Sequence, residues 1–349
     1  MISISRGIIR VENSGKILSL DADGRMIYYN DGIYTYRRSL MNDVIRINQR
    51  HGRRVKILNN NEKRIIINEF YDILNNINEP SLPKINDGYK FLINESMRLL
   101  NIYHGTIPIV PPDRYHSLYI RITYGCPWNK CTFCSLYKNI NYNINRYLDA
   151  EIEMLNDYFK RSLESRTGIF LGDANAIGIN KNVLFKSIEK IKSYFNMPFY
   201  SFSDSFTSPL NTNNDDLLRL KGYGFKMIYI GLESASYKVL KFFNKSLNLD
   251  VTEKYINAIK DAGINIGLII MDIKGSLYKS HVNETSKFIK SLNLDKNDIL
   301  YISKLIPGFE LREHAYYNGI DLKGNQKSIE NFIETNARVS KYNIKEALY

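Results

Sequence analysis

Between residues 117 and 304, short apolar segments alternate with stretches of helical periodicity, and this alternation restricts the fold more than any other feature of the chain. The strand-like segments are Leu118–Tyr124, Gly168–Gly172, Pro198–Ser203, Lys226–Ile230, Asn265–Met271 and Ile299–Lys304. They are apolar with little two-residue alternation, as a parallel sheet covered by helices requires. Apolar residues three and four apart mark helices over Ala150–Ser165, Lys181–Phe195, Asn214–Gly222, Ala235–Phe243, Val251–Ala262 and His281–Leu292. Six successive β/α units predict an α/β core, a partial (β/α)6 TIM-like barrel.

The preceding ~110 residues follow another pattern. Short strands are expected at Gly7–Val11, Lys16–Asp21, Arg25–Asn30 and Ile33–Arg38, separated by turn signals at Asn13-Ser14-Gly15, Asp23-Gly24 and Asp31-Gly32. Helical patterns follow at Glu62–Asn75 and Tyr89–Tyr103, kept apart by Pro80 and Pro83. Pro108, Pro111 and Pro112 then mark a boundary. The reading is an N-terminal α+β appendage over residues 1–112, a barrel core over 113–308, and a polar, partly helical tail over 309–349. The appendage and the tail are both candidates for a lid over a substrate.

The chain has three cysteines, Cys126, Cys131 and Cys134, all at the carboxyl end of the first barrel strand. An odd number crowded into one short loop is no disulfide framework; such thiols hold a metal. Strand ends of this kind are where barrels place their chemistry. Three thiolates suit an iron–sulfur cubane, leaving one iron open to another ligand. A structural zinc site is the alternative, but it wants four ligands. The nearest histidines, His116 on the far side of the strand and His104, are poorly placed to be the fourth. With no cysteine left over, a second cysteine-bound cluster is not expected.

The formal net charge of +12 favours anionic partners in general. The basic residues are scattered, however, and only Gln49–Lys56 is dense, so a solvated face accounts for them equally well and nucleic acid is not the favoured partner. No apolar run approaches the length of a membrane span; the longest, Ile264–Ile273, reads as a buried strand. Met1–Arg10 lacks the features of a signal peptide, and a cytoplasmic location is expected.

The segment Gly125-Cys126-Pro127-Trp128-Asn129-Lys130-Cys131-Thr132-Phe133-Cys134 resembles the cluster loop of the radical S-adenosylmethionine (SAM) superfamily, including the aromatic Phe133 before the last cysteine. Four residues separate the first two cysteines where three are commonest, which bears on subfamily rather than chemistry. The resemblance covers Ser117 to Gly308. It implies a [4Fe–4S] cluster on Cys126, Cys131 and Cys134, with SAM chelating the open iron. Reductive cleavage of SAM to methionine and a 5′-deoxyadenosyl radical would follow, then hydrogen abstraction from a substrate. A one-electron donor of ferredoxin or flavodoxin type is the implied partner.

The resemblance also suggests cofactor contacts at the other strand ends. Gly172-Asp173-Ala174 stands where the superfamily carries the small-residue motif for the methionine amine; a helix-capping turn is the plain alternative. Gly231-Leu232-Glu233-Ser234 is similar to the segment in which Gly231 offers backbone and Glu233 binds ribose hydroxyls or the amine. Lys245 occupies the place where the oxygen-independent coproporphyrinogen oxidase branch has a basic residue for the methionine carboxylate. Ser203, ending the third strand, is a ribose candidate, and Ile269–Gly275 offers backbone to adenine. His281 reads as a capping or surface residue.

The substrate is not written in these motifs. The single cysteine cluster argues against enzymes with auxiliary clusters, methylthiotransferases among them, and no cobalamin or RNA-binding module is recognisable. A small-molecule or lipid-like substrate is the expectation. A tRNA-modifying enzyme and a non-catalytic metal-binding protein are the alternatives.

Overall fold

The structure is a computed structural model and describes residues 1–48 and 54–342, so most of the basic Gln49–Lys56 cluster lies outside the described residues. The chain forms two compact units, one of residues 1–118 with 149–167 and one of residues 119–148 with 168–342.

In the first unit, seven strands make an antiparallel meander in sequence order: Ile2–Ser5, Ile8–Asn13, Lys16–Asp21, Met26–Asn30, Thr35–Arg38, Val44–Asn48 and Arg54–Ile57. Four were legible from their turns. Ile2–Ser5, Val44–Asn48 and Arg54–Ile57 were not; Ile2–Ser5 and Arg54–Ile57 are the edges of the sheet, exposed along most of their length and held by backbone pairing, whereas Val44–Asn48 is an interior, largely buried strand between two others. Ile9, Val11, Leu18 and Leu20 alternate onto one face and join Ile67, Phe70 and Leu74 of helix Asn60–Asn75 and Leu92 of helix Gly88–Ile102 in a single core. Asn59 starts the first helix with a capping box, accepting from the Glu62 N–H while the Glu62 carboxylate accepts from the Asn59 N–H. The helix expected at Ala150–Ser165 is α-helical over Leu148–Phe159 and continues as a 3₁₀ turn over Lys160–Ser165.

The second unit is built on a seven-stranded sheet, ordered Leu118–Arg121, Ile169–Gly172, Phe199–Ser203, Phe225–Glu233, Asn265–Asp272, Ile299–Lys304 and Arg338–Tyr342. From Ile169 onward each neighbouring pair is parallel. Asn213 and Asn248 cap their helices by accepting from the N–H groups of Asp216 and Val251. The six expected strands are present. The seventh comes from the tail, where only polar and helical character was expected. Arg338–Tyr342 is a mostly exposed edge strand paired on one side to Ile299–Ser303, a placement that demands little apolar sequence. Among the described residues no helix is long and apolar enough to cross a membrane.

Candidate cluster and cofactor site

The first barrel strand leads into a loop that opens at Gly125, whose φ of +74° lies in the left-handed region. A Cβ at Gly125 would stand 2.9 Å from the Ile140 carbonyl oxygen, so glycine is required where the cysteine motif begins. Two strand ends then clamp the loop. The Asp173 N–H donates to Thr123 O at 3.0 Å, and the Asp173 carboxylate accepts from the Gly125 N–H at 3.0 Å. The same carboxylate accepts from Arg121 Nε at 3.1 Å and from the Tyr119 hydroxyl. Farther along, Trp128 Nε1 donates to Asn244 O at 2.7 Å, Asn244 Nδ2 to Lys130 O at 3.0 Å, and Thr132 N to Phe243 O at 3.0 Å. The loop is thereby docked on the turn that leads to Lys245.

Cys126, Cys131 and Cys134 are free thiols, each half-buried. Burial pushes the Cys131 thiol up to about 12; Lys245 pulls it down, while Cys134, Glu233 and Cys126 add to the rise. Burial also raises Cys134. The three cysteines thus lie within electrostatic reach of one another, and burial disfavours the thiolate form of Cys131 and Cys134, which a bound cationic group would offset. Among the described residues no three His, Cys, Asp or Glu side chains are grouped to hold a metal ion. A cubane distributes its thiolates over separate irons rather than gathering them round one ion, and three soft thiolates on one loop are its characteristic donor set. The residues present fit such a cluster.

Glu233 and Lys245 enter the same neighbourhood. Strand Phe225–Glu233 runs three residues beyond its expected end, and its register with the fifth strand shifts between Gly231 and Glu233. This bulge puts Glu233 at φ +62° and re-aims its side chain. Glu233 Oε1 lies 3.7 Å from Lys245 Nζ, both side chains mostly buried. Burial raises the Glu233 carboxyl, with Lys245 offsetting part of the rise. Burial alone would lower the Lys245 ammonium, but Glu233 and the three cysteines hold it above its ordinary value. One cation therefore senses all three cysteines and Glu233 together. A Cβ on Gly231 would meet Glu233 Oε1 at 2.6 Å, so this glycine makes room for the pair.

Other candidates are placed differently. Asp173 is 2% exposed, and its two oxygens are taken up by Gly125, Arg121 and Tyr119, so it holds the loop instead of standing open to an ammonium. Gly172 gives way to Tyr119, whose hydroxyl lies 2.1 Å from where a Cβ would be. Ala174 donates its N–H to Gly125 O at 3.4 Å. Ser203 is buried, with its hydroxyl 3.0 Å from that of Tyr255. Phe133 packs on Phe243 at 4.9 Å between ring centroids. The Gly275 N–H donates to Gln326 Oε1 at 3.3 Å, and Asp272 pairs with Lys274 at 3.0 Å.

His281 is not a surface residue; it is fully buried. Nε2 lies 2.8 Å from Met271 O and therefore carries the proton, so Nδ1 accepts from Ser234 Oγ at 2.9 Å. It ties the end of the fourth strand to the end of the fifth. Its burial follows from the helical face it shares with Val282, Thr285 and Ile289. Tyr119 and Arg121, which sequence reasoning passed over, carried one signal: an arginine inside an apolar strand needs a buried acceptor.

The second unit is thus an α/β structure on a largely parallel sheet, with three cysteines on the loop that follows its first strand. Residues 120–289, just under half of the chain, match the family described as the Radical SAM superfamily, and the chain is similar to that superfamily over this stretch. It is similar to a Methanocaldococcus jannaschii protein named "Putative methylthiotransferase", 26% identical over 243 residues, covering 64% of this chain and 51% of that protein. It is also similar to an uncharacterized methyltransferase of Pyrococcus horikoshii, 25% identical over 231 residues, covering 62% and 47%. The chain spans about half the length of these curated relatives. Among solved structures, coproporphyrinogen III oxidase from Escherichia coli aligns with a TM-score of 0.46 and 18% identity, over 60% of this chain and 50% of that one.

Proposed function

We propose that Cys126, Cys131 and Cys134 hold a [4Fe–4S] cluster and that the chain uses it to cleave SAM reductively. When bound, such a group supplies the electron that splits SAM into methionine and a 5′-deoxyadenosyl radical, drawing on an external one-electron donor. The observation that carries this reading is the Lys245 ammonium, held in the field of all three cysteines and Glu233. On this reading Lys245 takes the methionine carboxylate and Glu233 the amine or a ribose hydroxyl. Gly231 leaves the backbone beside them accessible. Asp173, Tyr119 and Arg121 keep the cysteine loop at its height above the sheet, so that the thiols do not move when SAM enters. The radical then takes hydrogen from a substrate, for which a small-molecule or lipid-like compound is our reading.

Anaerobic reconstitution tests this. About four irons per chain, 5′-deoxyadenosine formed with dithionite and SAM, and loss of both in Cys131→Ala are expected. Stoichiometric zinc without nucleoside product would sink the proposal. The names of the curated relatives favour a second reading, transfer of a methyl or methylthio group. S-adenosylhomocysteine in the same assay, with RNA supplied as acceptor, would support it.

A further inference from the structure

The first unit contains a cavity of about 340 Å³ within the range of small-molecule sites. Five cationic or basic side chains line it, Arg25, Arg37, Arg38, Arg166 and His116, against one carboxylate, Asp21. Asp21 is already committed, with Arg25 Nη1 at 3.1 Å and the N–H groups of Asp23 and Arg25 at 3.0 and 2.9 Å. Arg25 is committed too, its Nε on Glu95 at 2.6 Å and its Nη2 on Tyr158 O at 2.6 Å.

Arg38 and Arg166 are not. Each is 8% exposed. Arg38 places Nε on Asn42 Oδ1 at 3.0 Å and Nη1 on Met26 O at 3.2 Å, but its buried Nη2 has no acceptor among the described residues. Arg166 donates Nη2 to Ser165 Oγ at 3.2 Å, and its buried Nε likewise has no acceptor among the described residues. A guanidinium does not shed its proton, so a buried N–H without an acceptor costs the fold about 1–3 kcal/mol unless something fills the space. The surroundings register this surplus of positive charge. Burial lowers the His116 imidazole, and Arg166 and Arg37 lower it further. Met26, Ile27, Leu40 and Ile45 form an apolar side to the same cavity.

We propose that this cavity binds a small organic anion, its phosphate or carboxylate group accepting from Arg38 Nη2 and Arg166 Nε and its apolar body lying on Met26, Ile27 and Ile45. The shape and charge suit one compact anion rather than a polymer, and the site is independent of the cluster.

The test uses the full chain, with calorimetric titration of inorganic phosphate, phenyl phosphate and benzoate at low salt. Saturable binding at one site is expected, with phenyl phosphate against benzoate separating a phosphate ligand from a carboxylate one. Arg166→Gln should weaken it at least about tenfold, the loss of one charge-assisted bond. Arg38→Met should do the same; if that variant does not fold, Arg166→Gln still decides, because Arg166 bonds to the neighbouring Ser165 and lies over the Phe159 ring at 5.1 Å but, among the described residues, joins no buried ion pair that the fold depends on. Saturation with the anion should raise the titration midpoint of the His116 imidazole, followed by NMR. Cys131→Ala should leave binding unchanged, which keeps this proposal separate from the cluster chemistry. Failure of all three ligands to bind at millimolar concentration, binding indifferent to Arg166→Gln, or binding of RNA that phosphate does not displace would each overturn it.

Discussion

The Asp173 carboxylate accepts the backbone N–H of Gly125 at 3.0 Å, so the end of the second barrel strand fixes the backbone from which Cys126 departs. The charge on Asp173 is balanced by Arg121 at 3.1 Å, both side chains almost completely buried. The cysteine loop therefore rests on a buried ion pair, and removing one partner leaves the other uncompensated.

Asp173→Ala should lower unfolding free energy by about 3–5 kcal/mol, as for a broken buried pair. Urea unfolding measures this. Iron bound after reconstitution should fall with it, whereas Asp173→Asn, which keeps an acceptor for Gly125, should retain more iron than the alanine variant. Equal iron loss in both would show that the Gly125 contact is not what matters.

Gly172→Ala should destabilise the barrel unit by about 1–3 kcal/mol. The new methyl would stand 2.1 Å from the Tyr119 hydroxyl oxygen and 2.3 Å from Cζ, on a ring that is itself buried. Gly222→Ala supplies the control. Nothing lies within 4 Å of its Cβ position, in a helix where alanine is favoured, so its melting temperature should hold or rise.

If Lys245 takes the methionine carboxylate as proposed, Lys245→Met should weaken SAM binding about tenfold or more while leaving iron content near that of the parent, since an ammonium is no iron ligand. Lys245→Arg should recover part of the affinity. Equilibrium binding of SAM to the reconstituted protein reads both, and unchanged affinity in the methionine variant would remove Lys245 from the site.

His281 gives a pH dependence with a definite sign. Burial lowers its imidazole from 6.5 to about 4. Between those values the unfolded chain takes up a proton that the folded chain refuses, so acid favours unfolding across this window. Above pH 6.5 the effect vanishes; below about 4 it is complete, at roughly 3 kcal/mol. His281→Gln should flatten that part of the stability profile relative to the parent. A parallel profile would mean that His281 is not buried neutral in solution.

The barrel strands and the cysteine loop were legible because their signals are local: apolar runs of strand length, and thiols within one turn of chain. Arg338–Tyr342 was missed for the converse reason. An edge strand is held by backbone bonds to Ile299–Ser303, which leave no mark on side-chain composition. His281 was misplaced at the surface because a lone histidine on a helix gives no indication of what faces it. Its neighbours are Ser234 and Met271, 47 and 10 residues away in sequence.

By itself the sequence determined the alternating α/β pattern, the placement of three thiols at the end of one strand, and the glycines that precede Asp173 and Glu233. The tertiary structure alone decided which acids are spent inside the protein and which face the thiols. Asp173 was drawn to Arg121 and Gly125, while a bulge turned Glu233 toward Lys245 and the cysteines. The reason is physical. Local pattern follows from short-range sterics and burial, whereas the partner of a buried charge is chosen by whatever the folded chain brings within a few ångströms of it.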